Sequence, residues 1–490
     1  MHRRANILIG TLATVSFALA LTGCEVGQNY ARPKMEQPAA FKSQPATQPA
    51  TWAAQPIQSD WWRLYHDPQL DQLVAMANES NQSLRQAIAR LDQARALARV
   101  AASYLLPTIT ANPSYTRTHT SAARPSVITG QPIGRQTTFN DWQVPFDLNY
   151  EIDVWGRLRR SAEASNAQAL ASAADLGVMR LTIATDVATF YYAIRGLDAQ
   201  EQILQQTVTA YVEQVRLVSA QLKNGLVGPI DLYQAQAQLE ATQAQLRDVQ
   251  RARADDEHAL SIVCGRPAPV FSVAANPLLE AAPPAVPVGL PAQLLSRRPD
   301  VAEAEQNIVS FNAQVGVATA ELYPTFTLTG RAGFESANFE HILDWKSNTA
   351  AIGPSISIPI FEGGRLENNL EAVRAQYRQA VAASVHQVLT AYGDVEDALT
   401  DLHAITDEVD RMRAAVAASQ DYVRTARIQY KQGLVTYLIV IDAERTLLTN
   451  QLTLSQDINA QMAASIHVIK ALGGGWDTNT DKSMRASAPY

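Results

Sequence analysis

The sequence predicts an internally duplicated α+β membrane protein with four transmembrane β-strands and long coiled-coil helices in each chain. Three observations carry that reading. Residues 215–239 (VRLVSAQLKNGLVGPIDLYQAQAQL) recur 208 positions later as residues 423–447 (VRTARIQYKQGLVTYLIVIDAERTL), so the chain is written twice. Proline is absent from Arg157 to Lys223 and again from Arg365 to Lys431, and apolar residues hold a heptad register through both stretches. Four further segments alternate apolar and polar residues with period two, as membrane-crossing strands do.

The first residues speak to compartment. Met1-His2-Arg3-Arg4, an apolar run from Ile7 to Leu21 and then Leu21-Thr22-Gly23-Cys24 read as a secretory signal over residues 1–23. The apolar run is too short to span a bilayer comfortably. Small residues before a cysteine resemble a lipoprotein processing box, so Cys24 is the expected lipidation site. Glu25 is not the aspartate that favours inner-membrane retention, which points to the outer membrane. Residues 24–60, rich in Pro, Ala and Gln, form a lipidated tether. Only Cys24 and Cys264 are present, so an acylated Cys24 leaves no disulfide, and Cys264 reads as a small buried residue. Net charge −7 without a basic cluster argues against nucleic acid as a partner.

Repeat 1 is expected over residues 61–290, with a β-hairpin at 107–153, a helical hairpin at 157–265 and a proline-rich linker (Pro277 to Pro291). Repeat 2 is expected over 291–476, with a β-hairpin at 324–362 and a helical hairpin at 365–473, and a polar tail over 477–490. Each proline-free stretch would make a helix of about 100 Å. Ile183, Val187, Phe190, Ile194 and Leu197 begin its apolar stripe in the first copy, and Val395, Leu402, Ile405 and Val409 in the second. Lys223-Asn224-Gly225 and Lys431-Gln432-Gly433 are helix stops, after which each helix returns.

The strands narrow the function class. Val144, Phe146, Leu148, Tyr150 and Ile152 alternate with polar residues or proline, as do Ile352, Pro354, Ile356, Ile358 and Ile360. Their partners centre on Ile109, Ala111 and Tyr115, and on Phe326, Leu328 and Phe334. Segments of about nine to eleven residues suit an outer membrane, with Ile356 and Ile358 toward lipid and Ser357 toward a lumen. Polar loops near Thr120–Thr137 and Ser336–Thr349 would lie outside the cell. Four strands cannot close a barrel, and an open edge in lipid is forbidden. A dimer would supply eight strands and a trimer twelve, and a conduit needs the larger number.

No catalytic constellation is visible. The histidines, His258, His386, His403 and His467 among them, lack metal spacing. Asp394, Glu396 and Asp397 read as a solvated helix face. Gly473-Gly474-Gly475 lacks the downstream Lys-Ser/Thr of a phosphate loop. Enzymatic activity is therefore not expected. The turns are more informative: Gly225-Leu226-Val227 and Gly433-Leu434-Val435 place apolar residues at the far end of each hairpin, where a partner can dock. Leu438 and Asp442 share one helix face at i,i+4 just past the second turn.

Residues in order along the mature chain resemble a known family. They are Trp61-Trp62 with Asp67-Pro68, Leu106-Pro107-Thr108, Trp155-Gly156-Arg157-Leu158, Lys223-Asn224-Gly225-Leu226-Val227 with Asp231, Leu295-Ser296-Arg297-Arg298-Pro299-Asp300, Tyr323-Pro324, Gly353-Pro354-Ser355 and Gly363-Gly364-Arg365-Leu366. Together the chain resembles the TolC-like outer membrane efflux proteins of the OprM/NodT lipoprotein branch. The resemblance implies a homotrimer with a twelve-stranded β-barrel in the outer membrane, continuous with a periplasmic α-helical barrel and a mixed collar. It implies a passive exit duct for drugs or other small molecules. Its partners would be a periplasmic adaptor at the tips and an inner-membrane resistance-nodulation-division transporter. No cofactor is expected beyond the lipid on Cys24. The periplasmic aperture is placed at Leu438 and Asp442, with Asp231 tying neighbouring helices and Tyr430 as its partner. Val435 stands where some relatives carry a basic residue, so that closing link is expected to be missing. The alternative from another class is a structural coiled-coil outer membrane lipoprotein without a pore.

Overall fold

The computed structural model describes residues 25–33, 35, 38–43, 57–125, 134–280, 282–286 and 296–476. The expected signal peptide, Cys24, most of residues 44–60, Leu295 and the polar tail lie outside the described residues.

Seven α-helices and five β-strands follow in order among the described residues. They are α1 (Pro68–Ser80), α2 (Gln82–Ser103), β1 (Thr108–Ala111), β2 (Ser114–Thr120), β3 (Thr137–Ile152), α3 (Arg157–Lys223), α4 (Pro229–Val263), α5 (Pro299–Ala320), β4 (Thr325–Ser336), β5 (Asn348–Ser357), α6 (Arg365–Lys431) and α7 (Tyr437–Ala471). The duplication holds at the level of helix length: α3 and α6 each have 67 residues, and α4 and α7 each have 35. Compactness, however, divides the chain across the repeats rather than between them. One unit gathers the described part of Met1–Pro33 with Asp92–Leu170 and Glu305–Ala383. The other gathers the described parts of Lys34–Leu91, Ala171–Ala304 and Ser384–Tyr490.

The first unit holds the sheet. All its pairings are antiparallel, in the order β1-β3-β4-β5, with β2 also on β3. β1 and β2 are therefore one strand interrupted at Asn112-Pro113. Proline has no N–H to give a ladder, and Asn112 bridges the gap by donating its backbone N–H to the Pro145 carbonyl at 3.3 Å. Opposite the second proline, Pro145, stands Gly333. A Cβ there would lie 2.2 Å from the Val144 carbonyl oxygen, so only glycine admits this strand approach.

Two strand expectations need correcting. β3 runs 16 residues, longer than the nine to eleven expected, because its pairing with β2 carries the strand upstream to the Thr120–Thr137 pair, past the point at Asn140 where the alternation ends. β5 ends at Ser357, so Ile358 and Ile360 lie beyond the strand. The ladder to β4 stops at the Thr325–Ser357 pair, immediately after Pro324, and the Pro359 ring cannot donate beyond it.

A strand leads into α3 through a polar junction. Asp153 accepts from the backbone N–H groups of Leu158 (3.2 Å) and Arg159 (2.9 Å), while Arg157 pairs with Glu151 at 2.7 Å. These bonds satisfy orphan donors at the start of a long helix. Segment 25–33 is seated on the same unit: Val26 donates to the Trp155 carbonyl, Glu25 and Glu163 flank the buried Arg160, and Arg32 pairs with Glu305.

The second unit is helical. Its main core centres on Trp61, Leu70, Val74, Val187, Tyr191, Ile194, Leu260, Ile466 and Ile469. Asp67 organises this core from the start of α1. Its carboxylate accepts from the Gln69 and Leu70 backbone N–H groups, the Tyr191 hydroxyl at 2.8 Å and the Arg195 guanidinium at 2.8 Å. Cys264 is buried beside the Leu73 carbonyl, and burial pushes its thiol up to about 11. Arg298 donates to Asp300, to Asp394 at 2.9 Å and to the Ala471 carbonyl at 3.1 Å, which ties off the end of α7. Asp394 and Glu396 are thus not a plainly solvated face. Glu396 accepts the backbone N–H groups of Lys42 (2.7 Å) and Ser43 (3.1 Å). Burial acts against its charge, and these donors outweigh it, holding the carboxyl below its ordinary range.

Candidate functional site

Two places in the chain can do work, and each lies within one unit. The first is the end of the two helical hairpins. α3 ends with Gly225 at φ +71° and α6 with Gly433 at φ +72°. Gly225 N–H donates to Leu222 and Leu226 N–H to Gln221, both at 2.9 Å. Gly433 to Tyr430 and Leu434 to Gln429 repeat the pattern at 2.9 Å. Both turns are therefore Schellman caps, and a left-handed residue is what their geometry demands. The shared Gly-Leu-Val sequence produces one backbone shape twice.

The leucines after the glycines have nothing over them: Leu226 is 74% exposed and Leu434 70%. The valines differ from expectation. Val227 packs against a tip core of Val218, Ala235, Val423, Ala426, Tyr437, Val440 and Ala443, and Val435 is half-buried. That core draws on both hairpins, and with the valines partly covered each tip presents its leucine. Ile230 and Tyr233, exposed in the first turn of α4, enlarge the apolar surface beside Leu226.

Leu438 and Asp442 lie exposed or half-exposed along one face of α7. The Asp442 carboxylate accepts from the Tyr422 hydroxyl at 3.4 Å and lies 3.5 Å from Arg445. Asp231 starts α4, with its backbone N–H on the Gly228 carbonyl. Tyr430 packs on the tip core with its ring 5.6 Å from that of Tyr437. Burial raises the Tyr430 phenol, and the Asp231 carboxylate adds to the rise.

Sequence reasoning passed over the strongest polar contact of this region. Arg427 on α6 donates through Nε (3.0 Å) and Nη2 (2.7 Å) to Glu444 on α7, whose side chain is 6% exposed. Burial raises the Glu444 carboxyl, and Arg427 only partly offsets it. Tyr437 and Tyr211 are each pushed up to about 12, first by burial and in part by Glu444. The available signal was position: Glu444 follows Tyr437 by seven residues and so falls on a core-facing heptad row.

The second place is the sheet. Its register puts Ile109, Phe146, Leu148, Leu328, Ile352 and Ile356 on one face. Thr110, Asp147, Asn149, Arg331, Thr327 and Ser355 share the other. The polar face is internally bonded, with Arg331 to Asp147 at 2.7 Å and Thr327 to Ser355 at 2.6 Å. The apolar face is exposed at Ile109, Phe146, Ile352 and Ile356. Such a sheet faces hydrocarbon on one side and water on the other. No helix among the described residues is long and apolar enough to cross a membrane. No group of three or more His, Cys, Asp or Glu residues there could hold a metal ion.

Comparison with known proteins agrees with this geometry. The outer membrane efflux protein family model matches residues 73–266 and 290–474, one match in each copy of the duplication. The toluene efflux pump outer membrane protein TtgC of Pseudomonas putida is 30% identical over 487 residues, covering 98% of this chain and 98% of that protein. The Campylobacter jejuni CmeC outer membrane channel matches in structure with a TM-score of 0.87 at 25% identity, covering 94% of this chain and 98% of that one. The outer-membrane channel OprN gives 0.84 at 28% identity, with coverage of 92% and 100%. These relatives are channels rather than enzymes. With both copies matched and the fold shared nearly end to end, the chain belongs to the outer membrane efflux protein family, as an exit duct in the outer membrane with its helical part in the periplasm.

Proposed function

We propose that three copies of the chain close one duct, which passively exports small molecules handed over by a periplasmic adaptor and an inner-membrane resistance-nodulation-division transporter. One observation carries this reading. The amphipathic sheet has two outer strands, β1/β2 and β5, each paired on one side only among the described residues. Unpaired strand edges are not tolerated in hydrocarbon. Symmetric copies satisfy them, and three copies of four strands leave a lumen where two would leave a filled barrel. Leu226 and Leu434 then become docking points for the adaptor, and Leu438 with Asp442 forms the three-fold ring at the narrowest point. Acylation of Cys24 adds an anchor that is minor beside twelve strands.

The sheet supplies the test. Trp142 and Ile152 bound the apolar face of β3, and Ile352 lies level with Leu148 near its middle. Ile352→Arg should cost about 2–4 kcal/mol at the bilayer midplane and abolish heat-modifiable trimers. Ser355→Arg, on the polar face, should assemble and alter single-channel conductance. Equal effects at both positions would sink the assignment of faces. Assembled protein without conductance in planar bilayers would leave a structural rod in place of a duct.

A further inference from the structure

The β4–β5 connection, residues 337–347, is a closed structure with an open apolar surface. Backbone bonds run from His341 to Asn338, Ile342 to Phe339, Asp344 to His341 and Ser347 to Asp344. The Ser347 hydroxyl donates to the His341 carbonyl at 2.7 Å, and His341 Nδ1 lies 3.0 Å from Asp344 Oδ2. Ile342 is the buried side chain of the loop. Around this bonded frame Phe339 is 64% exposed, Leu343 72% and Trp345 82%. A loop in water has no reason to hold three large apolar side chains outward.

The loop is continuous with the apolar face of the sheet. The Phe339 ring lies 4.9 Å from Trp142, and Trp142 lies 4.2 Å from Tyr115. Trp142 and Tyr115 are paired residues on the face that carries Val144 and Phe146. At the opposite end of that face Trp155 and Tyr323 stack at 4.7 Å, with the Trp155 indole N–H on the Pro324 carbonyl at 2.8 Å. From Trp142 to Ile152 the strand is roughly 33 Å long at its usual rise, or about 25 Å in height when tilted as barrel strands are. That is the height of the hydrocarbon band of an outer-membrane barrel. The two aromatic groups therefore mark its two boundaries, where Trp and Tyr concentrate. The Trp155 end leads into α3, so the Tyr115–Trp142–Phe339 end is the external one.

We propose that residues 337–347 form an interfacial anchor, lying on the outer leaflet with Phe339, Leu343 and Trp345 in the acyl–headgroup boundary. Lys346, next to Trp345, then stands at the level of the lipid phosphates. The occupant of the patch is lipid, because its continuation among the described residues is the lipid-facing side of the sheet. This inference rests on the membrane reading of the sheet and adds a second contact to it, outside the barrel wall.

The experiment uses the full chain in phosphatidylethanolamine/phosphatidylglycerol vesicles, with nitroxide labels at L343C, W345C and the mid-band control I352C. Collision with oxygen and with a water-soluble nickel chelate reads depth at each label. Trimer content is checked by heat-modifiable mobility, and L343C keeps Trp345 and Phe339 in place. The expected result is nickel protection at Leu343 and Trp345, at a depth shallower than Ile352 and inside the phosphate level. Full nickel access at both loop labels, with Ile352 protected, would place the loop in water and overturn the anchor while leaving the barrel standing. Labels shielded from both reagents and broadened by spin–spin coupling would place the loop between copies, and would overturn it too. Nickel access at Ile352 itself would instead bring down the membrane reading.

Discussion

The two hairpin ends share a backbone and differ in what they carry. Both turns are Schellman caps built on Gly225 and Gly433, and both ends contribute to one buried core. At the offset of 208, however, Asp442 corresponds to Gln234, Glu444 to Gln236, Arg427 to Ser219 and Tyr422 to Gln214. The ionic contacts Arg427–Glu444 and Arg445–Asp442 therefore exist in the second copy alone. The first copy instead begins its return with Pro229 and shows Ile230 and Tyr233 on the surface. Duplication supplied one scaffold twice. Later divergence placed the Arg427–Glu444 and Arg445–Asp442 contacts in the second end and left Ile230 and Tyr233 uncovered in the first.

The largest expected difference between the two ends lies in the buried pair. Arg427→Ala leaves the Glu444 carboxylate without its partner in a buried site, and should cost about 2–3 kcal/mol, the lower range because Arg427 is itself half-exposed. Ser219→Ala, the matching change in the first hairpin, should cost less than about 0.5 kcal/mol. The sign of the pH effect follows from burial. Glu444 has its folded-state pKa raised above the ordinary value of 4.5, so the folded form holds its proton more tightly than the unfolded form. Stability then falls as pH rises through that window and returns on acidification. Hydrogen exchange in the 437–448 segment of Arg427→Ala should slow toward wild type as pH is lowered, after correction for intrinsic rates. A cost that stays constant with pH would remove Glu444 as its source.

A smaller effect is expected at the proposed aperture. Three Asp442 carboxylates converging on a three-fold axis attract cations, and three Leu438 side chains narrow and dry the passage. Asp442→Ala with Leu438→Ala should raise single-channel conductance and weaken cation selectivity. Ile230→Ala with Gln234→Ala, the equivalent pair in the first hairpin, should change both little. Asp397→Ala, far along α6, serves as the second control. Equal changes in the two hairpins would move the constriction away from the second end.

What could be read from residue order and what could not divides along physical lines. Helix extent was readable because proline-free heptads are local and periodic, and the stops at Gly225 and Gly433 need only a few neighbours. The two faces of the sheet were readable for the same reason, since period two fixes which side chains share a face. Strand ends were not. β5 stops at Ser357 although the alternation runs on through Ile358 and Ile360, because pairing depends on β4, 20 or more residues away in sequence. The break at Asn112-Pro113 was hidden by the alternation on either side of it. The Arg427–Glu444 pair was missed because its partners lie 17 residues apart on two antiparallel helices, a spacing that carries no periodic signal.

The smallest expected effect tests the part the two ends share. Gly225 and Gly433 have φ near +71° and +72°, and a Cβ added at either would meet nothing within 4 Å. Alanine would therefore pay no steric clash with neighbours, only the cost of a left-handed backbone, about 1–2 kcal/mol. Because both caps make the same pair of bonds, Gly225→Ala and Gly433→Ala should loosen their tips equally. The readout is hydrogen exchange at Leu226 and Leu434, whose amides close the two caps. Each should exchange about five-fold faster or more, with trimer content unchanged. A much larger effect at Gly433 than at Gly225 would mean that the ionic contacts of the second hairpin depend on the shape of its cap, and that the two ends differ in backbone energetics as well as in side chains.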